Sequence, residues 1–340
     1  MMYIPIILAS ILFVGLFIIY NRIVLPSSID VLINEIENEE LPNFVSGKTG
    51  FAKNGGIAIS FEIMNSKNPN GETIVLVNAH GHSRLIWPIY FYKPFLDQGY
   101  TVIKYDNRGL GESDWMINWT KESPYSLEDM AKDAIAVLDK LKIEKAHFIG
   151  MSMGGMISQR IAISYPKRIQ TLTSIMSSGY HGDPELVSVP KKFYFNIIGV
   201  MLLYGRKLNT ISEKLKLDLS IHRLLKGKGN YKINDKAILQ KAYYELTKRK
   251  GLNRKVADQH STAIKISGSR YDDLSLIKCP TLVIHGTDDP LIKIAHAKKY
   301  APLIENAKTL FIKGMGHDLP EKYIPDIQIS IVENLKRKSS

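Results

Sequence analysis

Three short stretches of this chain carry a hydroxyl, an imidazole and a carboxylate that together could attack a carbonyl and move its protons. "GMSMGG", residues 150–155, sets Ser152 between methionines and the methionines between glycines. "FIKGMGHDLP" places His317 in a glycine-bearing loop after an apolar run, and "TLVIHGTDDPLI" offers Asp288 and Asp289. A serine hydroxyl is a weak nucleophile at neutral pH and needs an adjacent base. An imidazole serves if a carboxylate fixes its tautomer and stabilises its cation. The chain order Ser, Asp, His is one of those in which such a set occurs. Asp289 is taken as the orienting acid because it directly precedes Pro290 at the spacing G-x-x-D, with Asp288 in reserve. Asp318, next to His317, would point elsewhere and is read as structural.

Attack on a carbonyl creates an oxyanion that needs preplaced N–H donors. The amide of Met153, just after the nucleophile, is one expected donor. The amide of His82 in "VNAHGHS" is the other, with the His80 and His82 side chains shaping that loop. Met151, Met153 and Met156 would give an adaptable apolar wall, so Met151 and Met156 are expected to touch substrate. The chain has one cysteine, and its histidines are too dispersed for zinc spacing. No metal and no cofactor is expected.

These groups need elements that bring them together. "AHFIGMSMGG" reads as a buried strand, a tight turn and a helix. A nucleophile at such a turn sits on strained backbone that pushes its hydroxyl clear of the sheet. Glycines two residues before and after remove side chains that would crowd the bend. Further apolar runs read as strands at 57–64, 73–80, 101–108, 146–152, 171–177, 281–286 and 308–314, bounded by turn residues. Helical stretches lie between them, one opening with Ser126 as N-cap and Asp129 three residues on. That alternation predicts a mostly parallel sheet covered on both faces. "YDNRGLGESD" lacks the third glycine and the helix start of a nucleotide loop. It is read as a turn below the site, with Asp106 and Arg108 pinning loops.

The alternation lapses over 181–264, which reads as a basic helical cap; its "KGKGNYK" (226–232) reads as a flexible loop. The net charge is +12, and residues 181–270 hold 19 Lys+Arg against 7 Asp+Glu, so 19−7 accounts for all of it. A basic patch suits nucleic acid, an anionic membrane or an acidic substrate. No aromatic platform or known motif supports nucleic acid, so none is expected as a partner. Residues 1–21 carry no charged side chain. An apolar run of that length, with no basic residue before it, reads as an uncleaved single-pass membrane anchor (1–22) rather than a signal peptide. Residues 23–45 read as an amphipathic linker, with Ile29, Leu32, Ile33 and Ile36 at helical spacing. The core then falls into 46–180 and 265–340.

"NAHGHS", "YDNRGLGESD", "GMSMGG", "HGTDDPL" and "GMGHDLP", in this order, resemble the α/β-hydrolase superfamily. The stretch "ADQHSTAIKISGSRYDDLSLIKCPTLVIHGTDDPLI" resembles the branch of aclacinomycin methylesterase and related small-ester hydrolases. The resemblance implies an α/β fold with an eight-stranded, mostly parallel sheet, helices on both faces and a helical cap before the acid-bearing strand. It implies a serine hydrolase using Ser152, Asp289 and His317. The anchor and the basic cap depart from soluble members and point to a small-molecule or lipid-like ester at a membrane surface. The alternatives are an amide or C–C bond hydrolase, or a non-catalytic ligand-binding protein on the same scaffold.

Overall fold

The computed structural model describes residues 23–337 apart from 188, 207 and 254. The apolar runs become β2 (Ile57–Met64), β3 (Thr73–Val77), β4 (Thr101–Tyr105), β5 (Ala146–Met151), β6 (Ile169–Ile175), β7 (Thr281–Gly286) and β8 (Lys308–Ile312). One more strand, β1 (Lys48–Asn54), has no such run. Only Ala52 of it is buried, because it pairs with β2 alone at the sheet's edge and offers one residue to the core. The strand order is β1-β2-β4-β3-β5-β6-β7-β8. β2 is antiparallel to its neighbours, and every pairing from β4 through β8 is parallel. Parallel strands covered on both faces have no solvent side to make polar. Every residue of β3, β5 and β7 is accordingly buried.

The helices are α1 (Ser28–Asn38), α2 (Ile89–Asp97), α3 (Leu127–Lys140), α4 (Met153–Ser164), α5 (Lys191–Val200), α6 (Ile211–Leu225), α7 (Asp235–Lys248), α8 (Val256–Ile266), α9 (Ile294–Tyr300) and α10 (Ile324–Leu335). Two apolar clusters sandwich the sheet. One takes in α3, α4 and α9, the other α2 and α10. α3 starts at the expected box: Ser126 Oγ accepts from the Asp129 amide at 3.2 Å, and the Ser126 amide donates to Asp129 Oδ2 at 2.9 Å.

Between β6 and β7, α5, a π-helical turn (Met201–Gly205), α6 and α7 form the cap. α1 belongs with it. Its Ile29, Ile33 and Ile36 pack on Leu215, Leu219 and Leu239 in a small separate core, so the stretch read as a linker is a packed part of the cap. Most of α8 falls in the 181–264 stretch read as cap, yet Ala263 joins the main core. The loop at 226–232 is not free either. The Gly229 amide donates to the Gly314 carbonyl at 2.8 Å, and a Cβ on Gly227 would meet Gly316 N at 2.5 Å. Its glycines serve close backbone approach, the other use of a residue without a side chain. The anchor assigned to residues 1–22 lies outside the described residues. Among the described residues no helix is long and apolar enough to cross a membrane.

Candidate active site

β5 ends and α4 begins on either side of Ser152, whose backbone sits at φ 55°, ψ −118°. For a residue with a Cβ this conformation costs about 1–3 kcal/mol and persists only where its surroundings enforce it. The Ser152 amide donates to Ile175 O at 2.8 Å, and Ser177 Oγ donates to Ser152 O at 2.8 Å, which fix the bend to β6. A Cβ on Gly150 would run into the Gly154 backbone, and one on Gly154 into Val77. Glycine is required at both because the chain crosses itself there.

His317 stands in the loop after β8, with its amide donating to the Leu225 carbonyl of α6 at 2.8 Å. Its Nδ1 lies 2.6 Å from Asp289 Oδ2, and its Nε2 lies 3.0 Å from Ser152 Oγ. An ionised carboxylate only accepts, so Nδ1 carries the proton and Nε2 is free to accept from the serine hydroxyl. Asp289, after β7, is 1% exposed, and its Oδ1 accepts from the Leu291 and Ile292 amides at 2.8 Å each. Burial pushes the Asp289 carboxyl up, but the charge and hydrogen bond of His317 outweigh it and leave it below the ordinary carboxylate range. Asp288 is half-buried, and its carboxylate turns toward Thr287. Geometry therefore joins Asp289, and not Asp288, to His317.

A family model described as alpha/beta hydrolase fold matches residues 72–197. Rhodomycin D methylesterase from a Streptomyces species is 28% identical over 277 residues, covering 74% of this chain and 87% of that protein. A 2-hydroxy-6-oxononadienedioate hydrolase of Paraburkholderia phymatum is 26% identical over 260 residues, covering 74% of this chain and 83% of its own length. Among solved structures, an esterase from Exiguobacterium antarcticum superposes with a TM-score of 0.66 at 18% identity, covering 85% of this chain and all of that one. The chain has the alpha/beta hydrolase fold.

The expected oxyanion donors of this hydrolase stand differently. Met153 is the first residue of α4, where the leading N–H groups have no acceptor within the helix. The His82 amide instead closes a turn onto the Ala79 carbonyl, through a long 3.3 Å bond. The His80 ring donates from Nε2 to Ala257 O at 3.0 Å. The His82 ring lines the site and meets the His222 ring edge-on. Burial pushes the His82 imidazole far below its usual range, and Lys241 and His222 add to the effect. Asp106 accepts from the Arg84 amide at 2.8 Å and the Glu112 amide at 3.0 Å, and Arg108 pairs with Asp133 at 2.7 Å. The "YDNRGLGESD" turn is thus held by a buried carboxylate that collects amides and by a buried ion pair to α3.

A cavity of about 1050 Å³ opens over Ser152 and His317. Trp87 and Tyr90 of the core, Phe193, Ile197 and Ile238 of the cap, and Phe44 line it. Met151 also lines it. Met156 does not: it lies in the main core, 1% exposed. It shares with Met153, Ile157 and Ile161 the face of α4 that packs into the core. Its assignment to substrate is corrected.

Sequence reading also missed His260 of α8. The Gly81 amide donates to its Nδ1 at 3.1 Å, so Nε2 carries the proton and donates to Arg108 O at 3.1 Å. Burial, with the charge of His80, pushes this ring down to about 3. It stays neutral and ties the His80–His82 loop to the loop after β4. Nothing local in "ADQHSTA" marks that role, because both partners lie more than a hundred residues away.

Proposed function

We propose that Ser152 is the nucleophile of a serine hydrolase that cleaves lipid-like carboxylic esters through an acyl-enzyme at a membrane surface. The class is that of a carboxylic ester hydrolase, in keeping with the fold and the methylesterase relatives. The observation that carries the mechanism is the unbroken hydrogen-bonded line Ser152 Oγ, His317 Nε2, His317 Nδ1, Asp289 Oδ2. As Ser152 Oγ bonds to the acyl carbon, its proton passes to His317 Nε2, and Asp289 stabilises the resulting imidazolium. The electron pair displaced onto the carbonyl oxygen is met by the Met153 amide, and by the His82 amide once it lets go of Ala79. The tetrahedral centre collapses, the ester C–O bond breaks, and the leaving alkoxide takes the proton from His317. Water then attacks the acyl-serine by the same route and releases the acid.

Lipid-like esters are favoured by the apolar lining and the volume of the cavity, which would take a medium or long acyl chain. The uncharged run of residues 1–21 and the basic cap support a protein held at a membrane through its N-terminal segment. A second reading, C–C bond hydrolysis, draws on the dienedioate hydrolase relative.

The test pairs labelling with a substrate panel. A fluorophosphonate probe is expected to label the wild type and not Ser152→Ala, whose kcat falls by at least about 10³-fold with folding intact. Turnover surviving in Ser152→Ala would sink the mechanism. An ester series preferring acetyl over medium-chain groups would remove the lipid reading. Cleavage of a vinylogous diketone ahead of every ester would favour the C–C alternative.

A further inference from the structure

The cap helix α5 and the π turn after it separate the cavity from the outside. Their inner side supplies Phe193 and Ile197 to the cavity wall. Their outer side is apolar as well: Phe195 is 59% exposed, Ile198 54% and Leu202 57%, with Tyr194 and Met201 beside them. Positions 195, 198 and 202 fall on one helical stripe. A contiguous stripe of large apolar side chains is not what a solvated helix face carries, and such patches mark contact surfaces.

Three observations say what it contacts. Exposed Lys191 and Lys192 stand at the start of the stripe and exposed Arg206 at its end, so cations bracket the apolar residues lengthwise. Long cationic side chains placed there can reach phosphates while their neighbours sit in hydrocarbon. The surrounding segment carries the chain's whole positive excess, 19 Lys+Arg against 7 Asp+Glu over residues 181–270. Finally, the Leu25 amide donates to the Tyr204 hydroxyl at 2.9 Å, so the chain leading from the uncharged run at 1–21 meets the cap at this turn.

We infer that the outer face of α5 and the π turn docks in the plane of a bilayer containing anionic phospholipid, and so sets the cavity wall against the membrane that holds its ester. The helix lies on the membrane and does not cross it, as an in-plane helix with a charged rim does. The functional consequence rests on the lipid-ester reading above; the docking itself does not.

The test uses the full chain in vesicles of phosphatidylcholine and phosphatidylglycerol. The chain's one native thiol, Cys279, is buried, so Leu202→Cys can be labelled selectively with an environment-sensitive fluorophore. Ile329→Cys on α10, at an apolar position 60% exposed outside the cap, is the control. Quenching of the Leu202 probe by doxyl-labelled lipid, without quenching at Ile329, is the expected result. An unquenched Leu202 probe overturns the inference. A probe shielded from aqueous iodide yet not reached by doxyl lipid overturns it too, because then a protein segment or a second copy covers the face. In the activity arm, Phe195→Ser with Leu202→Ser should slow hydrolysis of monooleoylglycerol in vesicles at least about tenfold, with p-nitrophenyl butyrate in solution unaffected. Equal loss on both substrates would overturn the link to substrate delivery. Should Ser152 prove not to be the nucleophile, the quenching result stands apart from that failure.

Discussion

The cap meets the core along two seams of opposite chemistry. Behind the His80–His82 loop the seam is charged: Arg249, just after α7, contacts Asp106 and pairs with Glu245 at 2.9 Å, while Glu245 contacts Ser83. Arg84 joins Asp106 at 2.9 Å, and Lys104 joins Glu62 at 3.3 Å. Beside His317 the seam closes mainly through backbone, with Gly227 and Gly229 against Gly314 and Gly316. Each seam braces one loop of the site. The first concentrates its energy in a few side chains and is broken by removing atoms. The second depends on backbone contact and is broken by adding them.

The largest effect expected from breaking this contrast is at the charged seam. Arg249→Met leaves Asp106 and Glu245 short of a cation, and losing one partner of a buried pair costs about 3–5 kcal/mol. Chemical denaturation should show it, and a loss below about 1 kcal/mol would mean that water already screens the seam. Next is Gly227→Ala, whose methyl group has no room against Gly314 and Gly316. Overpacking of this kind costs up to about 3 kcal/mol. Because the displaced loop carries His317, kcat should drop more than KM changes; an unchanged kcat would show that the glycine seam does not position the base.

Acid sharpens the comparison through His260, which braces the same loop as the charged seam without carrying charge. Its folded value is lowered to about 3, against an ordinary value of about 6.5. Between those values the unfolded chain binds the extra proton, so stability is full above about pH 6.5 and falls as the pH drops toward 3. At pH 5 the loss from this group is about 2 kcal/mol. Thermal melts of wild type and His260→Gln should converge on acidification. Parallel curves would count against the neutral bridge.

The smallest effect is expected at Tyr231, whose hydroxyl accepts from the Gly227 amide and donates to Asp318 Oδ1, both at 2.8 Å. Tyr231→Phe removes these bonds at a cost of about 1 kcal/mol. Burial raises Asp318 to about 6 despite the tyrosine's hydrogen bond, and losing that bond should raise it further. The Asp318 carboxyl titration, followed by NMR, should then move to higher pH, and a titration that stays put would leave Tyr231 a packing role only.

Local chemistry was legible in the chain where a few neighbouring residues decide it. The turn at Gly150–Gly154, the cap at Ser126 and Asp129, and the period of the buried strands follow from sterics and hydrogen bonding within a short span. β1 escaped notice because an edge strand with one buried residue carries no apolar pattern. Met156 was given to the substrate because proximity to Ser152 in sequence does not say which side of α4 faces the cavity. The loop at 226–232 read as flexible because glycine permits both freedom and close contact.

By itself the sequence determined the succession of β2 to β8, the bend that lifts Ser152 and the loops that carry Asp289 and His317. Those are properties of backbone conformation and apolar period, which act over a few residues. Only the tertiary structure recruited His260 and Arg249 as braces, drew α1 into the cap and turned Phe195 and Leu202 outward. Each of these depends on which surfaces meet after residues far apart in the chain have packed, and no local pattern encodes a partner at that distance.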